Sequence, residues 1–212
     1  MNGSSFEQTY KNQKIGEARF LRGFIYHQMV KRFGGVPIIT KVQQLTDPES
    51  ELFPVRNKEA EVYDFIGKEM DEIAALLPAS YAGNDYGRPT KFAALALKSR
   101  AMLYAGSIAK FGTVDLNGVV GIPASEADKY FTAAMDASKA IMDNPAFSLY
   151  NKVPSDPVKN FTQLFTDENN NPEVIFGVKW DATLNKGHSW DALCTPAGFT
   201  SGWNSNFNVF LE

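Results

Sequence analysis

Apolar residues at the spacing of an α-helix constrain the fold of this 212-residue chain more than any other feature. The clearest set is spaced by four, four, three and four residues, and it consists of Val62, Ile66, Met70, Ile73 and Leu77. Because an α-helix has 3.6 residues per turn, this spacing places the five side chains on one face. The pattern predicts an amphipathic helix over residues 58–77, with Asn57 as its N-cap and Pro78 as its end.

An earlier segment, residues 14–33, also has a helical period. Its predicted core face is spaced by three, four and four residues and consists of Ala18, Leu21, Ile25 and Met29. Gly34-Gly35 is expected to end this helix, and Pro37 prevents it from resuming. Residues 36–57 contain three prolines and no sustained period, so we expect a long ordered loop there.

Residues 90–111 and 125–144 complete a set of four predicted helices. Thr90 is a candidate N-cap, and the many alanines that follow it are typical of a helix buried between neighbours. Ser125 and Asp128 resemble a capping box at the start of the last helix. The core face of that helix is expected to carry Tyr130, Ala134, Ala137 and Ile141. We expect the four helices to pack as antiparallel pairs, with Ile66 and Leu97 buried.

The composition changes after residue 145. Gly, Pro, Asn, Ser and Thr become frequent, the helical period disappears, and only Val174-Ile175-Phe176-Gly177-Val178 resembles a short strand. These patterns predict a mainly α protein with two regions. Residues 1–145 form a helical scaffold, and residues 146–212 form an irregular, aromatic-rich segment that is expected to continue into a C-terminal part outside this chain.

Charge and hydropathy exclude several functions. The chain has 21 Lys and Arg against 24 Asp and Glu, a net charge of −3, and no basic tract, which argues against nucleic-acid binding. No run approaches the roughly 20 apolar residues of a membrane-spanning helix. The first residues lack the basic and apolar regions of a signal peptide, so we expect any targeting segment to lie outside this sequence.

Four short motifs follow one another over residues 14–180. They are GEARFLRGF with RFGGVPI (residues 16–24 and 32–38), EVYDFI with LLP (61–66 and 76–78), GRPTK with AALALKSRA (87–91 and 93–101), and NPEVIF (171–176). In order and spacing they resemble the SusD/RagB family of outer-membrane nutrient-binding lipoproteins. The chain is similar to an internal piece of such a protein, because the lipid-bearing cysteine and the N-terminal stretch of the family are not in this sequence.

The resemblance implies a fold and a function. The fold is a tetratricopeptide-like helical-repeat scaffold, an α-α superhelix, with an irregular loop-rich segment that holds the ligand. The implied function is non-enzymatic binding of polysaccharide or oligosaccharide at the cell surface of the outer membrane. The ligand is then taken up through a SusC-like TonB-dependent transporter. Membrane contact is implied only through a lipid anchor that lies outside this chain.

The aromatic residues of the irregular segment are the candidate ligand contacts. All three tryptophans follow residue 179, among amide and carboxylate side chains. Aromatic faces pack against the C–H groups of sugars, while Asn and Asp bind hydroxyl groups. We therefore expect oligosaccharide to contact Trp190 and Trp203, with Asn204 and Asp191 as polar partners and Tyr86 as a further contact. The alternative is that these tryptophans fill the core of the segment.

No sequence motif indicates catalysis, a metal or a cofactor. Residues 167–171 open like a calcium loop, but Pro172 and Val178 occupy the positions that require Gly and a bidentate Glu. No carboxylate pair or nucleophile motif marks a glycosidase or hydrolase. Two other functions remain open, a tetratricopeptide-type adaptor that binds peptides and an enzyme that acts on glycans. Arg19, Arg22 and Arg100 are expected to have structural roles.

Overall fold

A computed structural model describes residues 7–167 and 171–177. Its helices are α1 (Gln8–Phe33), α2 (Glu49–Leu52), α3 (Glu59–Ala74), α4 (Lys91–Phe111), α5 (Ala127–Met142) and α6 (Pro157–Thr166). The chain divides into two compact units, residues 1–176 and 177–212, and all six helices belong to the first. The four predicted helices are confirmed as α1, α3, α4 and α5, and the mainly α fold class is confirmed with them.

The four long helices form a row in which each neighbour runs antiparallel to the last. Gly16 of α1 lies beside Leu77, whereas Gly23, two turns later, lies beside Met70, so the two chain directions oppose each other. Lys98 of α4 reaches back to Asp71 of α3, at 2.7 Å. Ser99 of α4 lies 2.6 Å from Ser138 near the end of α5. A row of antiparallel helices is the arrangement of a helical-repeat scaffold.

The core lies between these helices and confirms most of the predicted faces. All five residues of the α3 pattern are buried, as are the four residues predicted for α5. Ile66 and Leu97 are both buried, as expected. A second cluster joins Phe92, Leu95 and Ile141 to Phe147 and Ile175, so apolar packing continues beyond residue 145.

The predicted core face of α1 is wrong. Leu21 and Ile25 are 54% and 55% exposed, while Phe20 and Val30 on another side of the helix are buried. The buried side carries the glycines, and a Cβ atom on Gly23 would lie 2.4 Å from Cε of Met70. Because glycine has no Cβ atom, the side of α1 that carries Gly16 and Gly23 can approach α3 most closely. This close approach determines which of the two apolar faces of α1 enters the core.

Only one of the predicted helix caps is confirmed. Thr90 Oγ1 accepts a hydrogen bond from the N–H of Ala93, at 3.2 Å. Asn57 does not cap α3, because its Oδ1 accepts from the N–H of Ile38, at 2.9 Å, and Lys58 is the N-cap residue. The capping box at residues 125–128 is replaced by a 3₁₀ turn over Ala124–Glu126, which leads directly into α5.

Three distant segments meet where α1 ends. Gly34 has φ of +69°, and the N–H of Gly35 donates to the carbonyl of Val119, at 2.7 Å. A Cβ atom on Gly35 would lie 1.9 Å from the carbonyl oxygen of Asn57, so this position needs glycine. Nearby, the buried carboxylate of Glu59 accepts from the N–H of Gly121, at 2.5 Å. The start of α3 and the 112–124 loop are thus joined to the end of α1.

The region after residue 145 differs from its prediction in two ways. Helix α6 was not predicted, although Asp156 caps it by accepting from the N–H of Lys159, at 3.0 Å, and Pro157 occupies its first turn. The predicted strand is not formed over residues 174–177, where the N–H of Val174 instead closes a turn onto Asn171. A strand needs a ladder partner, and the described residues contain only one isolated bridge, between Asp115 and Val120.

Candidate functional site

The structure locates one of the five predicted ligand contacts. Trp190, Asp191, Trp203 and Asn204 lie outside the described residues, so their roles stay predictions. Tyr86 is described and is 60% exposed. It lies in the loop between α3 and α4, residues 75–90, which we name the Tyr86 loop.

The backbone on both sides of Tyr86 has a conformation that favours glycine. Gly83 and Gly87 have φ of +59° and +94°, in the left-handed region. Between them the chain forms a single 3₁₀ turn, Gly83–Asp85, and the N–H of Tyr86 closes this turn onto the carbonyl of Gly83, at 3.2 Å. The two glycines allow this tight turn, and the Tyr86 side chain is exposed on its surface.

A buried carboxylate on α1 fixes this loop to the helical scaffold. Glu17 accepts a hydrogen bond from the Tyr81 hydroxyl, at 3.1 Å, and one from Nη1 of Arg88, at 2.8 Å. Lys14 donates to the same carboxylate, at 3.0 Å. Burial, together with the hydrogen bond to Glu17, raises the pKa of Tyr81 to about 12. Tyr86 is therefore flanked on both sides by side chains that bind one buried anion.

Arg88 also stabilises the turn itself. Its Nε donates to Asp85, at 2.6 Å, while its Nη1 binds Glu17. One guanidinium thus connects the residue before Tyr86 to helix α1. The sequence did not reveal Glu17 as part of the site, because the wrong face of α1 was assigned to the core. The sequence does contain a signal, because Glu17 follows Gly16 directly and lies on the side of α1 that carries the glycines.

A concave surface lies beside α6. This α6 groove has a volume of about 390 Å³ and is lined by Leu149, Tyr150, Asn151, Val153, Pro154, Pro157, Asn160, Phe161, Leu164 and Glu173. Phe161 and Phe165 pack edge to face, with ring centroids 5.2 Å apart. The groove is mainly apolar, and no side chain of α6 is buried.

Two polar side chains of the α6 groove form hydrogen bonds with the backbone. Asn160 accepts from the N–H of Val153, at 3.0 Å, and donates to the carbonyl of Tyr150, at 2.9 Å. Glu173 accepts from the N–H of Tyr150, at 2.7 Å. These bonds hold the walls of the groove in place, and the lining offers a mainly apolar surface to a ligand rich in hydroxyl groups. The Tyr86 loop is therefore the better candidate for contact with a sugar.

Two of the three arginines singled out in the sequence have structural roles, as predicted. Arg19 and Arg22 both bind Glu69 of α3, at 2.6 and 2.5 Å. Arg100 is exposed, and its role stays a prediction. Within the described ranges, no group of three or more His, Cys, Asp or Glu residues could hold a metal ion. None of the helices in these ranges is long and apolar enough to span a bilayer.

The fold and the braced loop define a helical-repeat protein whose inter-helix loops present surface aromatics. Residues 2–103 match a family model described as SusD-like, "starch-binding associating with outer membrane". A SusD-like protein from Bacteroides ovatus is 25% identical over 209 residues, which cover 97% of this chain and 33% of that relative. This chain therefore spans about a third of the length of that relative.

Solved structures show the same likeness. A SusD-like protein from Bacteroides fragilis aligns with a TM-score of 0.58 and 31% identity, over 83% of this chain and 29% of that one. Surface glycan-binding protein A from Bacteroides uniformis shares the fold, with a TM-score of 0.61 and 20% identity, over 96% of this chain and 38% of its own. Sequence motifs, the family model and the solved relatives agree, and together they support a SusD/RagB family protein.

Proposed function

We propose that this chain is the helical-repeat part of a lipid-anchored protein at the outer-membrane surface, which binds polysaccharide or oligosaccharide without catalysis. The bound glycan passes to a SusC-like TonB-dependent transporter. The observation that carries the proposal is the alignment with a SusD-like protein at 31% identity over 83% of this chain. Because this chain spans 33% of its SusD-like relative from Bacteroides ovatus, the proposal concerns a protein of family length.

The geometry of the Tyr86 loop supports glycan binding. An aromatic ring that is already fixed in place loses little conformational entropy when a sugar packs on it. The backbone that carries the Tyr86 ring is held in this way, because hydrogen bonds of Glu17 and Arg88 fix its loop to α1. Trp190 and Trp203 are proposed as the other stacking residues, with Asp191 and Asn204 binding hydroxyl groups.

The test is calorimetric titration of the family-length protein with a panel of oligosaccharides. Trp190→Ala, Trp203→Ala and Tyr86→Ala should each weaken binding by about tenfold, by analogy with bases stacked on aromatic residues. Phe111→Ala is the matched control, since Phe111 is an exposed aromatic at the end of α4. Unchanged affinity in all three variants would overturn the assignment of these residues, and no binding to any glycan would overturn the function.

The absence of catalysis is tested separately. Incubation of the purified protein with the same panel should release no reducing ends. Release that a single Asp or Glu substitution abolishes would instead establish a glycan-active enzyme.

A further inference from the structure

Two pairs of side chains meet where α1 and α4 lie close together. His27 and Lys31 lie one turn apart on α1. Arg100 and Tyr104 lie one turn apart on α4. The His27 ring packs edge to face against the Tyr104 ring, with centroids 5.5 Å apart, and Nζ of Lys31 lies 5.7 Å from the centroid of the Tyr104 ring. These four residues form one cluster, which we name the α1–α4 cluster.

The two cations of the α1–α4 cluster have no acidic partner in the described part of the chain. Neither Lys31 nor Arg100 forms an ion pair or a side-chain hydrogen bond with another described residue, and both are exposed to solvent. α4 contains no Asp or Glu, and α1 contains none after Glu17. Lys98, by contrast, lies two residues before Arg100 and binds Asp71 of α3, at 2.7 Å.

The helix dipole accounts for only one of these cations. Lys31 lies in the last turn of α1, where a positive charge is favoured. Arg100 lies about three turns before the end of α4, beyond the range of this effect. Burial lowers the pKa of His27 to about 4, and Lys31 and Arg100 add to this effect with no opposing acidic group among the described residues. The cluster therefore carries a positive potential that a bound anion would balance.

The chemistry of the cluster favours an acidic sugar as the anion. A guanidinium binds a carboxylate or sulfate through two parallel hydrogen bonds, and an ammonium adds a second positive charge. Tyr104 is 45% exposed, so part of its ring is open to the C–H groups of a sugar. The cluster spans one turn on each helix, about 6 Å, which matches the size of one sugar unit. A helical peptide in a groove uses anchors over two turns or more.

We propose that the α1–α4 cluster binds an acidic sugar unit, with Arg100 and Lys31 at its carboxylate or sulfate group and Tyr104 against its ring. This inference rests on the proposed function, since it takes the ligand to be a glycan, and it adds the class of glycan. Lys31 lies about 20 Å along α1 from Glu17, which anchors the Tyr86 loop. The cluster is therefore a second contact for a chain of several sugar units.

The experiment titrates the family-length protein with three oligosaccharides of equal length, an oligogalacturonate, a sulfated galactan and a neutral malto-oligosaccharide. At least one acidic probe should bind about tenfold more tightly than the neutral one, and the two acidic probes distinguish a carboxylate from a sulfate ligand. Lys31→Gln combined with Arg100→Gln should remove this preference. Lys68→Gln combined with Lys139→Gln is the matched control and should retain it, because it removes two cations on α3 and α5 whose side chains are 77% and 69% exposed.

His27 provides a second measurement at the same cluster. An anion beside Lys31 and Arg100 offsets their charge, so the pKa of His27 should rise when the acidic probe is bound. The two tyrosines that pack on His27 carry no charge at acid pH and do not contribute. NMR titration of protein with labelled histidine measures the change, and the signal is assigned by its loss in His27→Leu. An unchanged pKa with the acidic probe bound would place the anion elsewhere and overturn the inference.

The other results separate the inference from the proposed function. If no probe binds, the proposed function fails and the inference fails with it. If the acidic and neutral probes bind equally well, or if the preference survives Lys31→Gln with Arg100→Gln, only the inference is overturned. Binding of an oligoglutamate peptide that requires Arg100, without a preference among the sugars, would show a peptide-binding scaffold instead.

Discussion

Arg19 of α1 donates two hydrogen bonds to Glu69 of α3, from Nη2 at 2.6 Å and from Nε at 3.2 Å. Arg22, almost one turn later, donates to the same carboxylate at 2.5 Å. Burial by itself would raise the pKa of Glu69, but the two guanidinium groups outweigh it and its pKa lies below the ordinary value. Glu69 therefore remains ionised and links α1 to α3.

Removal of this carboxylate should destabilise the scaffold. Glu69→Ala leaves two guanidinium groups without their buried partner, and we expect a loss of about 3 kcal/mol in the free energy of unfolding. Glu72→Ala is the control, because Glu72 also binds Arg19 but is largely exposed, and it should cost about 1 kcal/mol or less. Chemical denaturation measures both losses, and equal values would contradict the distinction.

His27 gives the scaffold a defined sensitivity to acid. It is buried between Tyr63 and Tyr104, and neither of its ring nitrogens has a hydrogen-bond partner among the described residues. Burial lowers the pKa of His27 to about 4, and the positive charges of Lys31 and Arg100 add to this effect. The unfolded chain, with an ordinary histidine pKa near 6.5, binds a proton that the folded chain excludes.

Stability should therefore fall as the pH decreases from about 6.5 to about 4. The loss due to His27 should reach about 3 kcal/mol at the lower end of this window and stay constant below it. His27→Leu removes the titrating group and should flatten the pH dependence over the same range. Urea denaturation at several pH values provides the measurement, and an identical slope in both proteins would contradict the role of His27.

The difference in burial between Ile66 of α3 and Leu21 of α1 leads to a prediction about stability. Ile66→Ala should cost about 2–5 kcal/mol, because it leaves a cavity in the core between α3 and its neighbours. Leu21→Ala should change the stability by no more than about 0.5 kcal/mol, because Leu21 is on the exposed side of α1. Thermal unfolding separates the two effects. A large loss for Leu21→Ala would show that this side chain is buried.

The anchor of the Tyr86 loop can be tested without a ligand. Glu17→Ala removes the acceptor that Tyr81 and Arg88 share, so amide hydrogen exchange over residues 81–88 should become faster. Lys139→Ala is the control, since it breaks an exposed ion pair with Asp143 on α5 and should leave this exchange unchanged. Slow exchange in the Glu17 variant would show that the loop is held by other contacts.

The sequence predicted the helices better than their faces. α3 and α5 each have one apolar stripe, so their period determines which side is buried. α1 has two apolar stripes, and helical spacing alone favours the stripe with Leu21 and Ile25 over the one with Phe20 and Val30. Which face of α1 is buried depends on how closely Gly23 allows the helix to approach Met70 of α3. This distance is a property of the packed pair of helices and cannot be read from either segment alone.

The candidate site was predictable only in part for a related reason. Tyr86 was identified because glycines and asparagine surround it, but its support comes from Glu17, about 70 residues earlier in the chain. The sequence motif before α6 was readable, since Asp156-Pro157 is a typical helix start. The sequence does not predict the helix, because it is only ten residues long and its apolar residues, Val158, Phe161 and Phe165, lie in a segment rich in Pro, Asn and Ser.

The meeting point behind α1 has a consequence for how the scaffold is assembled. The N–H of Gly35 and the carboxylate of Glu59 find their partners only in residues 119–121. A ribosome-bound chain that has emerged only as far as α3 therefore lacks both hydrogen bonds, each with a net contribution of about 1 kcal/mol to stability. The first two long helices gain their full stability only after the loop beyond α4 has been synthesised, so this part of the scaffold forms as one cooperative unit and not helix by helix.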